Sequence, residues 1–162
     1  MLNRYLKIVL VLLLSLLCLM YAIQNLANLD ACFSSVAYVL GMTEHNYYAN
    51  SFFPAVTNSF LVWIAVGTII GAELTAGILL LIGCGKLFSA RQSDSSSFNQ
   101  AKSLALFGAG IGIIVWFGIF GVFGGAWFQM WQTPTGGQSL NGAFQYFVSC
   151  AFIWLIVRAK DR

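Results

Sequence analysis

Four apolar runs, each near the length a helix needs to cross a bilayer, constrain what this chain can fold into more than any other feature. They cover about 6–26 (LKIVLVLLLSLLCLMYAIQNL), 60–82 (FLVWIAVGTIIGAELTAGILLLI), 103–125 (SLALFGAGIGIIVWFGIFGVFGG) and 141–158 (NGAFQYFVSCAFIWLIVR). A spanning helix takes roughly 20 predominantly apolar residues, because it must cover about 30 Å of hydrocarbon. Charge is too scarce to clothe a soluble surface: 8% of the 162 residues are charged and 59% are hydrophobic, whereas a soluble domain carries roughly a quarter charged. The expectation is a single integral membrane domain over 1–162, an all-α transmembrane four-helix bundle.

Arg4 and Lys7 ahead of the first run imitate the basic end of a signal peptide. The run is long, however, and no small-x-small cleavage site follows it. Leu17 also stands before Cys18, where a lipoprotein signal wants a small residue. The first run therefore reads as an uncleaved span.

The basic residues set the orientation. Arg4, Lys7, Lys86, Arg91, Lys102, Arg158, Lys160 and Arg162 all fall in the N-terminus, the second loop or the C-terminus. With four spans these segments share one side, and the positive-inside rule places that side, with both termini, in the cytoplasm. Three or five spans would break the partition. The net charge of +3 lies beside apolar runs rather than in a patch, so nucleic acid is not an expected partner.

The connections carry their own signals. In the first outer loop, DACFSSVAYVLG predicts a short interfacial helix, with Asp30 as its cap and Gly41 as its end. Phe33, Val36, Ala37 and Leu40 share one face of it, suited to lie flat on the membrane or over the bundle. Pro54 is placed for the first turn of the helix entering the second span. The serine-rich SARQSDSSSFNQAK reads as a mobile linker. In the third loop Trp127 and Trp131, four residues apart, share a face if the helix continues, before Pro134 breaks it. They are a candidate outer docking surface or an aromatic belt.

Small residues let helix backbones approach in lipid, where hydrophobic burial gives helices little reason to associate. Three glycine pairs have the required four-residue spacing: Gly67 with Gly71, Gly108 with Gly112, and Gly121 with Gly125. They are the candidate helix-packing positions, inside the bundle or against another protein.

Signals for chemistry are sparse. The four cysteines form no CxxC, and one histidine, His45 in a loop, offers no pair for haem. A metal site needs about three or four converging ligands. No cofactor, metal or catalytic residue is expected, and the chain does not read as an enzyme. The exception to this plainness is Glu73, midway along GTIIGAELTAGILLLIG. An acid at a helix centre costs roughly 2.5–3.5 kcal/mol to insert. The thirteen Leu, Ile, Val and Phe residues between 60 and 82 return about 4–8 kcal/mol at roughly 0.3–0.6 each. The span therefore inserts, with Glu73 turned inward. Counting from the span ends puts Ser15 and Ser149 at its depth, with Gln145 one turn away on the face of Ser149. The expected polar cluster is Glu73 with Ser15, or with Gln145 and Ser149, either as interhelical glue or as a proton- or ligand-handling carboxylate.

GAELTAGILLLIG, WFGIFGVFGGAWFQMWQ, NGAFQYF and NLDACFSSVAYVLGM together resemble the bacterial "predicted small integral membrane proteins", a four-span family of unknown function. The resemblance runs over most of the chain. It implies an acid in the second span, a tryptophan-rich motif after the third, and a bacterial inner membrane. Ala126 stands where members carry a glutamate, and no histidine lies near Tyr38. The expected function is an accessory, non-catalytic subunit beside a larger membrane complex. Its partners would be lipid and other membrane subunits or itself. The alternative is a small transporter or channel component using Glu73.

Overall fold

The computed structural model describes residues 2–48 and 50–161. Arg162, counted with the basic residues above, lies outside them. Among the described residues every regular element is helical.

Leucine-rich and free of Gly and Pro, α1 (Leu2–Ala27) runs unbroken through its polar first turns. One residue, Asn28, separates it from α2 (Leu29–Leu40), the expected short helix. Asp30 lies inside the first turn of α2 rather than at its cap. The predicted apolar face is correct, and of its two expected seats, flat on the membrane or over the bundle, it takes the second, against the next helix. Cys32, Phe33, Val36, Ala37 and Leu40 pack on Val62, Val66 and Ile70 of α3 (Ser59–Ser89). Val56 N–H closes the corner by donating to Leu40 O at 2.8 Å.

At 31 residues, or about 46 Å, α3 exceeds the hydrocarbon thickness. Its first third is covered by α2, and the rest by α1 and α5. It starts at Asn58, whose side chain accepts from Phe60 N–H at 2.9 Å and Leu61 N–H at 3.4 Å. Pro54 therefore lies ahead of the helix, outside its first turn, because the Asn58 cap satisfies the free N–H groups that define the start.

The serine-rich segment is also ordered more than expected. Asp94 caps α4 (Ser95–Ala101) by accepting from Ser96 N–H and Ser97 N–H. After Lys102 comes α5 (Ser103–Ile113), which passes directly into a fourteen-residue π-helix, Ile114–Trp127. π-Helices are usually single turns. The wider winding ends with Phe128 N–H donating to Phe123 O at 2.8 Å, five residues back. Positions facing the bundle recur here at steps of four: Trp116, Phe120, Gly124 and Phe128.

The third span stops at a left-handed Gln129 (φ 51°), followed by a 3-10 turn, Met130–Gln132. Trp127 and Trp131 therefore do not share a helical face. Pro134 begins α6 (Pro134–Arg158) instead of breaking a helix. The Pro134 nitrogen falls where no N–H is needed, and Thr133 Oγ1 accepts from Gly136 N–H at 3.1 Å. The fourth helix consequently starts seven residues before the expected span.

In the bundle α3 packs against α1 on one side and α5 on the other, and α6 closes the ring against α5, the π-helix and α1. The core includes Val11, Leu14, Cys18, Ala76, Leu80, Ala109 and Cys150. One end of the bundle carries both chain ends and α4, here called the termini end. The loop end carries the two long connections.

Candidate functional site

Glu73 is 1% exposed, deep between α3 and α1. Its hydrogen-bond partner is Asn25, whose Nδ2 donates to Glu73 Oε2 at 3.0 Å. None of the three expected partners reaches it. Ser15 Oγ instead donates to Gly77 O at 2.8 Å. Ser149 Oγ donates to Gln145 O of its own helix at 2.9 Å, and both residues lie on an exposed face of α6.

The reason is geometric. Helical side chains lean toward their own N-terminus. In the antiparallel α1–α3 pair, Glu73 leans toward the loop end and Asn25 leans away from it. The two meet although Asn25 lies near the end of α1, well above the depth of Glu73. Counting Cα positions levels Glu73 with Ser15 and misses this offset. The Asn25 amide thus ties the Glu73 carboxyl across the α1–α3 interface.

The termini end holds a second buried polar set. Lys7 and Lys102 are 6% and 2% exposed. Both donate to Asp161 Oδ2, each at 2.6 Å. Both also donate to Ala159 O, at 2.6 and 2.8 Å. Asn99 Oδ1 accepts from Lys102 at 2.6 Å and from Asp161 N–H at 3.1 Å. Burial pushes the Asp161 carboxyl up, but the hydrogen bonds from Lys102 and Lys7 outweigh it and hold the group below the usual carboxylate range. Arg4 adds bonds to Arg91 O (3.1 Å) and Ser93 O (2.7 Å), and sits 4.6 Å over the ring of the fully buried Phe98. This lock ties α1, the α3–α4 turn, α4, α5 and the C-terminal tail. In the sequence Lys7 and Lys102 signal topology alone. Asp161, an acid among the basic residues, is the signal that points to a lock.

The glycines divide sharply. A Cβ at Gly108 would lie 2.9 Å from Leu80 Cγ, and one at Gly112 2.9 Å from Cys150 Sγ. One at Gly125 would lie 3.1 Å from Leu140. Gly121 meets only its own helix, so its pairing with Gly125 across one interface is not found. Gly67 and Gly71 have nothing within 4 Å. Close approaches between helices also fall at positions the pair spacing missed: Gly83, 2.6 Å from Ala105 N, and Gly77, 2.6 Å from Leu19 Cγ.

At the loop end Trp127 stacks on Phe53 with centroids 3.9 Å apart, while the half-exposed Trp131 stands edge-on to Tyr48 at 5.3 Å. Gln132 Oε1 accepts from Tyr47 N–H and Tyr48 N–H, pinning the first loop to the third.

Four helices long and apolar enough to span, enclosing a carboxylate and closed by a charged lock at one end, define an integral membrane helical bundle. The chain belongs to the family described as "Predicted small integral membrane protein (DUF2165)", which matches residues 3–160. No curated protein and no solved structure matches the chain.

Proposed function

We propose that this chain is a non-catalytic accessory subunit of a larger membrane complex in a bacterial cytoplasmic membrane, with both termini inside. The observation that carries the reading is the open pair Gly67 and Gly71. The glycines at 77, 83, 108 and 112 are consumed by close contacts within the bundle, whereas a Cβ at either of these two meets no atom. Thr68 and Thr75 flank the pair and return their hydroxyl bonds to Ile64 O and Gly71 O, which leaves a stripe of small residues between the exposed Ile64 and Ile78. Such a face suits close approach of a helix from another membrane protein.

Mild-detergent extracts from native cells test this. The wild-type chain is expected in a particle much larger than 17.7 kDa. Gly67→Leu with Gly71→Leu is expected to release it with an unchanged melting temperature. A wild-type monomer without partners in those extracts would sink the reading. Orientation is tested separately with cysteines introduced at Tyr47 and Ser93, both exposed at opposite ends of the bundle. Impermeant reagents outside the cell should label position 47 alone.

A second reading, a small transporter or channel component, draws on Glu73 and its single neutral partner. An intramembrane ionisable group marks ion and proton pathways in many membrane proteins. Glu73→Gln discriminates: it preserves the shape and removes ionisation, so it leaves an accessory subunit working and stops a proton- or cation-handling component.

A further inference from the structure

A shallow, open hollow of about 710 Å³ lies at the termini end between α3, α4 and α5, with Lys86, Ser89, Ser93, Ser97, Gln100 and Ser103 as its polar side. Ser103 also begins a second groove, apolar, of about 460 Å³. That groove follows one stripe of α5 and its continuation: Ser103, Phe107, Gly110 and Ile114, with Trp154 of α6 as a wall. Its floor is open at Gly110, where a Cβ would meet nothing within 4 Å. Phe107 and Ile114 stand 64% and 63% exposed along it. From Ser103 to Ile114 the stripe rises about 16 Å, close to half of a ~30 Å hydrocarbon core. Polar hollow and apolar groove thus join at one residue, with the groove as deep as one leaflet.

Charge at the rim is positive. Lys86 makes no ion pair or side-chain hydrogen bond among the described residues. Arg158 stacks on Trp154, the groove wall, 4.8 Å from the ring centroid. Both acids at this end are engaged: Asp94 caps α4, and Asp161 is held between Lys7 and Lys102.

We infer that the hollow and groove together seat one anionic phospholipid. Its phosphate lies by Lys86 and the serine hydroxyls, and one acyl chain runs along the α5 stripe. The ammonium neutralises the headgroup, and the Ser93 and Ser103 hydroxyls donate to phosphate oxygens, while those of Ser89 and Ser97 are already spent on Gly85 O and Asp94 Oδ2. Phe107 and Ile114, which the bundle leaves uncovered, gain an ordered chain in place of mobile lipid. The inference is independent of any protein partner.

The test uses the full chain reconstituted in vesicles of equal phosphatidylglycerol and phosphatidylcholine, then extracted and weighed intact by native mass spectrometry. One phosphatidylglycerol retained per chain is expected, with phosphatidylcholine excluded. Lys86→Gln should lower retention about fivefold, the weight of one basic side chain at an anionic surface. Gly110→Leu should abolish retention by filling the groove. Both variants should melt with the wild type, since neither position has an internal partner to lose. Equal retention of the two lipids, or retention unchanged in both variants, would overturn the seat. So would displacement by free glycerol phosphate as readily as by whole lipid, which would leave the groove no role.

Discussion

The charged lock and Glu73 are both buried polar sites, built on opposite terms. At the termini end two ammonium groups share one carboxylate oxygen and one backbone carbonyl, and Asn99 Oδ1 accepts a further hydrogen bond from Lys102. Glu73 has a lone amide, on a helix that meets it from the loop side. Buried charge persists where it is paired and hydrogen-bonded. The lock meets that condition from four separate segments of the chain, so it reads as a structural clamp. Glu73 meets it with one neutral donor, which leaves little structural reason for the group to be an acid rather than an amide.

This contrast breaks most easily at Asp161. Asp161→Ala leaves Lys7 and Lys102 buried without a carboxylate, and a loss of about 3–5 kcal/mol is expected in a detergent-unfolding titration. A variant as stable as wild type would mean that the end is not clamped at all. The pH dependence follows from the lowered Asp161 pKa. A carboxyl depressed in the folded state stabilises above its unfolded value, near 4, and that contribution disappears as pH falls through the folded value. Melting temperature should therefore drop below about pH 4 in the wild type, and this part of the drop should be missing in Asp161→Asn.

Next in size is Gly83→Ala. Its methyl would meet Ala105 N at 2.6 Å and Ala105 Cα at 2.9 Å, and backbone cannot step aside as a side chain can. A destabilisation of about 1–3 kcal/mol is expected. Glu73→Leu strands the Asn25 amide and should cost about 1 kcal/mol, the size of one interhelical bond in a membrane. Glu73→Gln should leave stability unchanged, because its carbonyl oxygen still accepts from Asn25. A Glu73→Gln protein that folds but loses its cellular phenotype would sharpen the comparison into one clamp and one working carboxyl. Gly67→Leu should likewise leave stability unchanged, since no atom lies within 4 Å of a Cβ placed there. A marked fall in melting temperature there would show that the α3 face is part of the bundle after all.

Helix content, the number of spans and the apolar face of α2 were legible because each is a local property. A run of twenty apolar residues spans whatever its neighbours do. The ends were less legible. Pro134 reads as a breaker after a long helix and as a starter ahead of one, and only the left-handed turn at Gln129 decides between them. Glycine spacing found the contacts at Gly108 and Gly112 but could not tell inward from outward. Gly67 and Gly71 have the same spacing and face away.

By itself the sequence determined a four-span membrane bundle with its basic residues gathered at one end and an acid inside, since transfer into lipid depends on composition over a window. Only the tertiary structure decided which groups meet. Asn25 reaches Glu73 because antiparallel helices lean their side chains in opposite directions. Lys7, Lys102 and Asp161 converge although up to 154 positions separate them in sequence, because packing four helices brings both ends of the chain and the α4–α5 junction to one place.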